Sequence, residues 1–149
     1  MIFLLYVAYG SNLDDRQMAF RCPDAVEVGT GVIEDFRLFY RGSKTGCYAT
    51  IEKCEGEKVY VEVWEISDRD EKSLDRYEGF PKFYYKKSID VHMNDGTINN
   101  AIVYIMDKNR PVGLPSKEYY NVIARSYERL GFDKSELEKS IQYTRKMVK

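Results

Sequence analysis

Glu78, in the run Arg76-Tyr77-Glu78-Gly79-Phe80-Pro81, is the residue of this sequence whose neighbours best suit acid/base chemistry. It closes a short predicted helix and stands just before a strand that opens on aromatics. Partial burial beside Tyr77, Phe80, Phe83, Tyr84 and Tyr85 would penalise its carboxylate and raise its pKa towards neutrality, where a proton shuttle works best. The same pattern also fits a solvated glutamate at a helix end, since perturbed carboxylates occur in structural networks too. A second feature is Tyr9-Gly10-Ser11-Asn12-Leu13, where an apolar strand turns into a helix. Glycine there admits a ligand close to the backbone. N–H groups left unpaired at a helix start can hold a substrate carboxylate or a developing oxyanion. An ordinary turn capped by Asn12 would leave the same trace.

Other chemistries lack their residues. His92 is the single histidine and falls in the alternating Ile89 to Met93 stretch of a predicted strand, with no G-x-S-x-G elbow or cysteine-protease signature, so it reads as structural. Gly29-Thr30-Gly31 lacks the third glycine of a dinucleotide fingerprint and reads as a bulge, and no GxxxxGK[ST] loop occurs. Cys22, Cys47 and Cys54 are odd in number and match no zinc spacing, which points to a reducing cytoplasm. The expectation is chemistry without metal or nucleotide, hence no cofactor.

Charge narrows the partners. Lysine plus arginine (23) nearly balances aspartate plus glutamate (24), so no field of one sign favours nucleic acid or an anionic membrane. Met1 to Ala8 is mostly apolar but lacks a basic leader and a cleavage site and is too short to span a bilayer; it reads as a buried strand. A small-molecule or protein partner is favoured.

The elements that must position Glu78 and the Tyr9 to Leu13 loop follow from periodicity and turn chemistry. Ile2 to Tyr9 suits a strand buried on both faces, and Asn12 or Asp14 can cap a helix reaching about Cys22-Pro23. Val26 to Tyr40 predicts a long strand bent at Gly29 and Gly31. Tyr48 to Glu52 and Lys58 to Ile66 flank Glu55-Gly56-Glu57 and predict a hairpin. Ser67 with Asp70 forms a capping box for a helix to about Tyr77, ended by Glu78-Gly79. Phe83 to Met93 and Thr97 to Met106 surround the hairpin signal Asn94-Asp95-Gly96. Ser116 caps a helix stopped by Gly131, and Asp133 and Glu136 open a last one towards Met147, with Leu137 and Ile141 on its apolar stripe. Hairpins followed by helices, without regular βαβ alternation, give an α+β class. The bends in the second strand make a small mixed β-barrel with flanking helices plausible. No linker or repeat divides residues 1–149, which read as one domain.

In order and spacing, these segments resemble the γ-glutamylcyclotransferase-like family, including its AIG2-like members. The matching pieces are Tyr9-Gly10-Ser11-Asn12-Leu13, Asp35-Phe36-Arg37-Leu38, Tyr48-Ala49-Thr50-Ile51, Val63-Trp64-Glu65-Ile66, Leu74 to Pro81, Phe83-Tyr84-Tyr85, Val103 to Met106, Gly113-Leu114-Pro115-Ser116 and Tyr119-Tyr120. The resemblance implies a compact barrel with surrounding helices and a small-molecule γ-glutamyl substrate. It also implies that the Tyr9 to Leu13 loop holds the γ-glutamyl group through backbone amides, that Glu78 is the catalytic glutamate, and that Tyr85, Tyr104 and Tyr119 belong to the pocket. The implied reaction needs no Ser or Cys nucleophile. The substrate's own α-amine closes a five-membered ring on the γ-carbonyl, releasing the amine and 5-oxoproline, and intramolecular attack supplies effective molarity. A non-catalytic module binding a γ-glutamyl or other carboxylate ligand is the alternative. The loop from Lys108 to Pro115 is a candidate lid. Lys86-Lys87 stands where many relatives are expected to carry arginine, which weakens any case for bidentate recognition there.

Overall fold

The computed structural model describes residues 3–148, and five strands close into a barrel in the order β1-β3-β2-β4-β5 with four helices around it. β1 (Leu4–Ala8) runs antiparallel to β3 (Gly46–Ile66), with Val7 opposite Val63. Tyr6, Val7 and Ala8 are all buried, as a strand covered on both faces requires. Ile2, at the start of the expected strand, lies outside the described residues.

β2 (Val26–Ser43) is longer than expected and bulges between Glu27 and Gly29. Gly31 then meets β4 (Tyr84–Met93), where it pairs with Met93 and Val32 pairs with His92. A Cβ on Gly31 would stand 2.4 Å from the His92 carbonyl oxygen, so this seam of the barrel needs a glycine. β4 and β5 (Ile98–Met106) form the expected hairpin, with Gly96 at φ 90° in its turn.

The hairpin expected across Glu55-Gly56-Glu57 does not exist. Both of its halves belong to the single strand β3, which pairs with β2 from Val26↔Glu65 to Ser43↔Gly46. The glycine signal is instead a bulge within the ladder. Glu34 opposes Lys58 while Phe36 opposes Lys53, so Cys54 to Glu57 loop out facing Asp35, whose carboxylate accepts the Gly56 N–H at 3.0 Å. The true reversal is at Lys44-Thr45.

The helices follow their caps. After one 3-10 turn (Ser11–Leu13), α1 spans Asp15–Arg21. α2 (Asp68–Glu78) opens on the Ser67/Asp70 capping box and ends at Gly79, a left-handed cap at φ 64°. α3 (Lys117–Leu130) is capped by Ser116 and stopped by left-handed Gly131. α4 (Lys134–Met147) starts from Asp133 and lies on β2, where the Tyr40 and Ser140 hydroxyls are 2.8 Å apart. Val61, Val63, Val91 and Val103 fill the barrel. No helix among the described residues is long and apolar enough to cross a membrane.

Candidate active site

The last turn of α2 delivers Glu78 to a cavity of about 380 Å³ whose wall also includes Tyr9, Gly10, Ser11 and Asn12. That volume suits a small molecule. The cavity lies on the outer face of the sheet, roofed by α2 and the 3-10 turn, with Tyr6, Tyr84 and Tyr104 from the strands and Tyr119 from α3 around it. Glu78 is half-buried, and burial pushes its carboxyl up to about 8; the positive charge of Arg21 pulls the other way without cancelling the effect. A carboxyl in that range can both take and return a proton near neutral pH.

The glycine loop is built for close approach. A Cβ on Gly10 would stand 3.2 Å from both the Tyr119 hydroxyl and the Ala49 Cβ, so a larger residue would push into the cavity wall. The turn is closed by the Leu13 N–H on the Gly10 carbonyl (3.0 Å), while the Ser11 and Asn12 N–H groups meet no backbone acceptor among the described residues. Leu13 itself is fully buried and anchors the loop beneath the cavity without lining it. Asn12 does not cap the helix; its amide donates to the Tyr6 hydroxyl at 2.9 Å and its oxygen accepts from Arg21. Ser11 Oγ and the Tyr77 hydroxyl are 3.1 Å apart, which joins the loop to the residue beside Glu78.

The tyrosines sort by what their hydroxyls already do. Tyr9 donates to the Tyr104 carbonyl at 2.7 Å and Tyr84 donates to the Ala49 carbonyl at 2.7 Å. Both brace the wall. Tyr104 lines the cavity, but its hydroxyl donates to Asp75, whose carboxylate is paired with Lys86 at 3.0 Å. Tyr119 accepts the Ala49 N–H at 3.1 Å, and its own O–H remains to serve the cavity. Burial raises the pKa of every one of these four phenols, so they act as neutral hydrogen-bonding groups.

Tyr85 is not brought to this site. It lines a separate depression with Phe36, Phe39, Ile51 and Lys87, and its neighbour Tyr84 occupies the cavity. Strand alternation is the cause. Tyr85 and Lys87 share the phase of Ile89, Val91 and Met93, while Tyr84 and Lys86 take the opposite face, where Lys86 reaches Glu71 and Asp75 of α2. The candidate lid is also placed elsewhere. The Lys108 to Pro115 loop is tied to β2, with Gly42 N–H on the Pro111 carbonyl, Gly113 N–H on the Tyr40 carbonyl and Arg41 bonded to the Lys108 and Arg110 carbonyls. It touches the cavity only indirectly, through Arg110 stacked 3.9 Å from the Phe83 ring centre.

Sequence reasoning named Tyr77, Phe83 and Tyr84 as neighbours that bury Glu78 but not as pocket residues, and missed Tyr6, Tyr48 and Arg76. The phase of β4 separates Tyr84 from Tyr85 but does not say which face carries the cavity, because α2 rather than the barrel core forms its roof. His92, half-buried 3.8 Å from Glu34, is absent from the cavity lining, as expected for a structural histidine.

A closed five-stranded barrel whose outer face carries a glutamate and a glycine loop in one aromatic cavity has counterparts among known proteins. The family described as gamma-glutamyl cyclotransferase, AIG2-like matches residues 6–128. A gamma-glutamylcyclotransferase of Bos taurus is 31% identical over 135 residues, 85% of this chain and 71% of that protein. One of Mus musculus is 31% identical over 143 residues, covering 91% and 76%. A solved structure titled gamma-glutamyl cyclotransferase superposes with a TM-score of 0.84 at 27% identity, covering 93% of this chain and 86% of that one. The chain belongs to the gamma-glutamyl cyclotransferase, AIG2-like family and is an enzyme of that class.

Proposed function

We propose that this protein, with residues 1–149 acting as one domain, cyclises a γ-glutamyl amide to 5-oxoproline and releases the amine, with Glu78 as the proton shuttle. The observation that carries the reading is the convergence of the Glu78 carboxyl and the Gly10 to Asn12 backbone on one aromatic-walled cavity. The Ser11 and Asn12 N–H groups hold the glutamyl portion and share charge developing on the γ-carbonyl oxygen. Tyr119 adds a hydroxyl donor, while Tyr9 and Tyr104 shape the wall. Ionised Glu78 takes a proton from the substrate's α-ammonium. The freed amine attacks the γ-carbonyl carbon, the new C–N bond closes the ring, and the old amide C–N bond breaks. The ring nitrogen, which still carries two hydrogens after the attack, gives one up to solvent to become the lactam N–H, and the leaving nitrogen departs with the proton Glu78 collected, which restores the carboxylate.

Tyr85 has no part in this reading, because it lies away from the cavity. Three free cysteines fit a reducing setting, which we take to be the cytoplasm. The test is 5-oxoproline release from a panel of γ-glutamyl amides that differ in the amine. Turnover of at least one member is expected. Binding of panel members without any release would overturn the cyclotransferase reading and leave a carboxylate-binding module.

A further inference from the structure

Arg21, at the end of α1, reaches two parts of the cavity's frame, the glycine loop and the last turn of α2. Its Nη1 donates to Asn12 Oδ1 in the glycine loop and, at 2.9 Å, to Gln17 Oε1 on its own helix. Its guanidinium carbon lies 3.4 Å from the centre of the Tyr77 ring, one residue before Glu78. Tyr77 in turn meets Ser11 Oγ at 3.1 Å, and Asn12 passes the chain on to the Tyr6 hydroxyl in the cavity wall. The result is a closed circuit: Arg21 to Asn12, Asn12 beside Ser11, Ser11 to Tyr77, and the Tyr77 ring back to Arg21.

We propose that Arg21 is a positioning residue of this enzyme, which fixes the spacing between the Ser11-Asn12 backbone and the Glu78 carboxyl by clamping the glycine loop to the last turn of α2. It rests on the functional reading above for its consequence in turnover, though the clamp itself is geometric. The 3-10 turn has three residues and no side-chain cap, and Tyr77 is exposed, so packing alone does not hold its ring. The planar guanidinium suits the task, because one face covers the ring while an edge donates to the amide oxygen; an ammonium can do only one of these well.

The clamp also sets the charge that Glu78 feels. The groups around that carboxyl are the phenols Tyr6 and Tyr9 from β1 and its end, Tyr77 from α2, Tyr84 from β4 and Tyr119 from α3, with Arg76 at the cavity wall. Asp75 is engaged by Tyr104 and Lys86. Arg21 is the cation that opposes the effect of burial on Glu78. Removing it leaves the carboxylate less stabilised, so Glu78 protonates at higher pH and the base form is lost earlier as pH falls.

Two variants separate geometry from charge. Arg21→Met removes both, and Arg21→Lys keeps the charge but loses the fork. Glu78 titration is followed by NMR of carboxyl-labelled protein, with Glu78→Gln used to assign the signal, and KM and kcat are measured in parallel. The NMR arm stands whether or not the protein turns over a γ-glutamyl amide, so failure of the functional reading shows as absent wild-type release, independently of the clamp. The expected result is about a tenfold gain in proton affinity of Glu78 in Arg21→Met and a near wild-type midpoint in Arg21→Lys. Both variants should raise KM by about tenfold, with the Glu78 midpoint moving only in the first. An unchanged midpoint in Arg21→Met, or a wild-type KM in Arg21→Lys, overturns the proposal. If Arg21→Met does not fold, Arg21→Gln, which keeps an amide donor without the charge, takes its place with the same two readings.

Discussion

The role proposed for Glu78 follows from where its carboxyl sits. Burial raises its pKa from 4.5 to about 8, so between those values the folded state holds a proton that the unfolded chain has released. The consequence for stability has a definite sign. Ionising this group opposes folding, with the penalty absent below about pH 4.5 and fully present above about pH 8. Glu78→Gln should therefore stabilise the fold against urea at pH 9 and leave it nearly unchanged at pH 4. Glu62 behaves alike: it is fully buried, and burial together with neighbouring Glu27 pushes it up to about 8. Glu62→Gln should show the same pH-dependent gain, and a gain of equal size at both pH values would contradict this origin. For turnover, kcat/KM should rise with pH through about 8 as the base form of Glu78 becomes populated. Replacing Tyr84 by Phe removes its bond to the Ala49 carbonyl and should lower kcat/KM about tenfold, whereas Tyr85→Phe should leave it unchanged. Local pattern offered Glu78 and Gly10 as candidates, a carboxyl beside aromatics and a glycine at a strand end, but the same pattern fits an ordinary helix end and turn, and the family resemblance is what singled them out. The choice between Tyr84 and Tyr85 was not legible, because it depends on which face of β4 meets α2.

At the scale of elements, the site depends on two ends: the start of the 3-10 turn and the last turn of α2. α2 was readable because its boundaries are chemical. Ser67 and Asp70 satisfy each other's backbone N–H groups, and Gly79 takes the left-handed conformation that ends the helix next to Glu78. Ser67→Ala should cost about 1 kcal/mol in chemical denaturation through loss of the cap. The β2–β3 ribbon was misread for an equally physical reason. Gly56, at φ 84°, serves a bulge as readily as a turn, and only the pairing of Glu34 with Lys58 and Phe36 with Lys53 distinguishes them. Gly31 is the glycine on which barrel closure depends. Gly31→Ala would drive a methyl into the His92 carbonyl and should destabilise the fold by roughly 1–3 kcal/mol, measured by thermal or urea unfolding. The corresponding change at Gly96 forces a positive φ but meets no atom within 4 Å, so its cost comes from backbone strain alone.

For the molecule as a whole, the closed barrel is the scaffold on which the cavity is built. Val61, Val63, Val91 and Val103 pack the barrel's interior. The cavity forms where α2, the 3-10 turn and α3 close over strands β1, β3, β4 and β5. The α+β class and four of the five strands could be read from turn and strand patterns, while β3 was read as two; the position of the cavity depends on long-range contacts such as Tyr119 with Ala49 and Tyr9 with Tyr104, which no local pattern encodes. The measurement that bears most directly on the central claim is 5-oxoproline release by wild type and Glu78→Gln side by side, on a γ-glutamyl amide that the wild type turns over. Loss of about two to four orders of magnitude in kcat, with substrate still bound by the variant, is the predicted result. Release at the wild-type rate would contradict it and remove Glu78 from the chemistry.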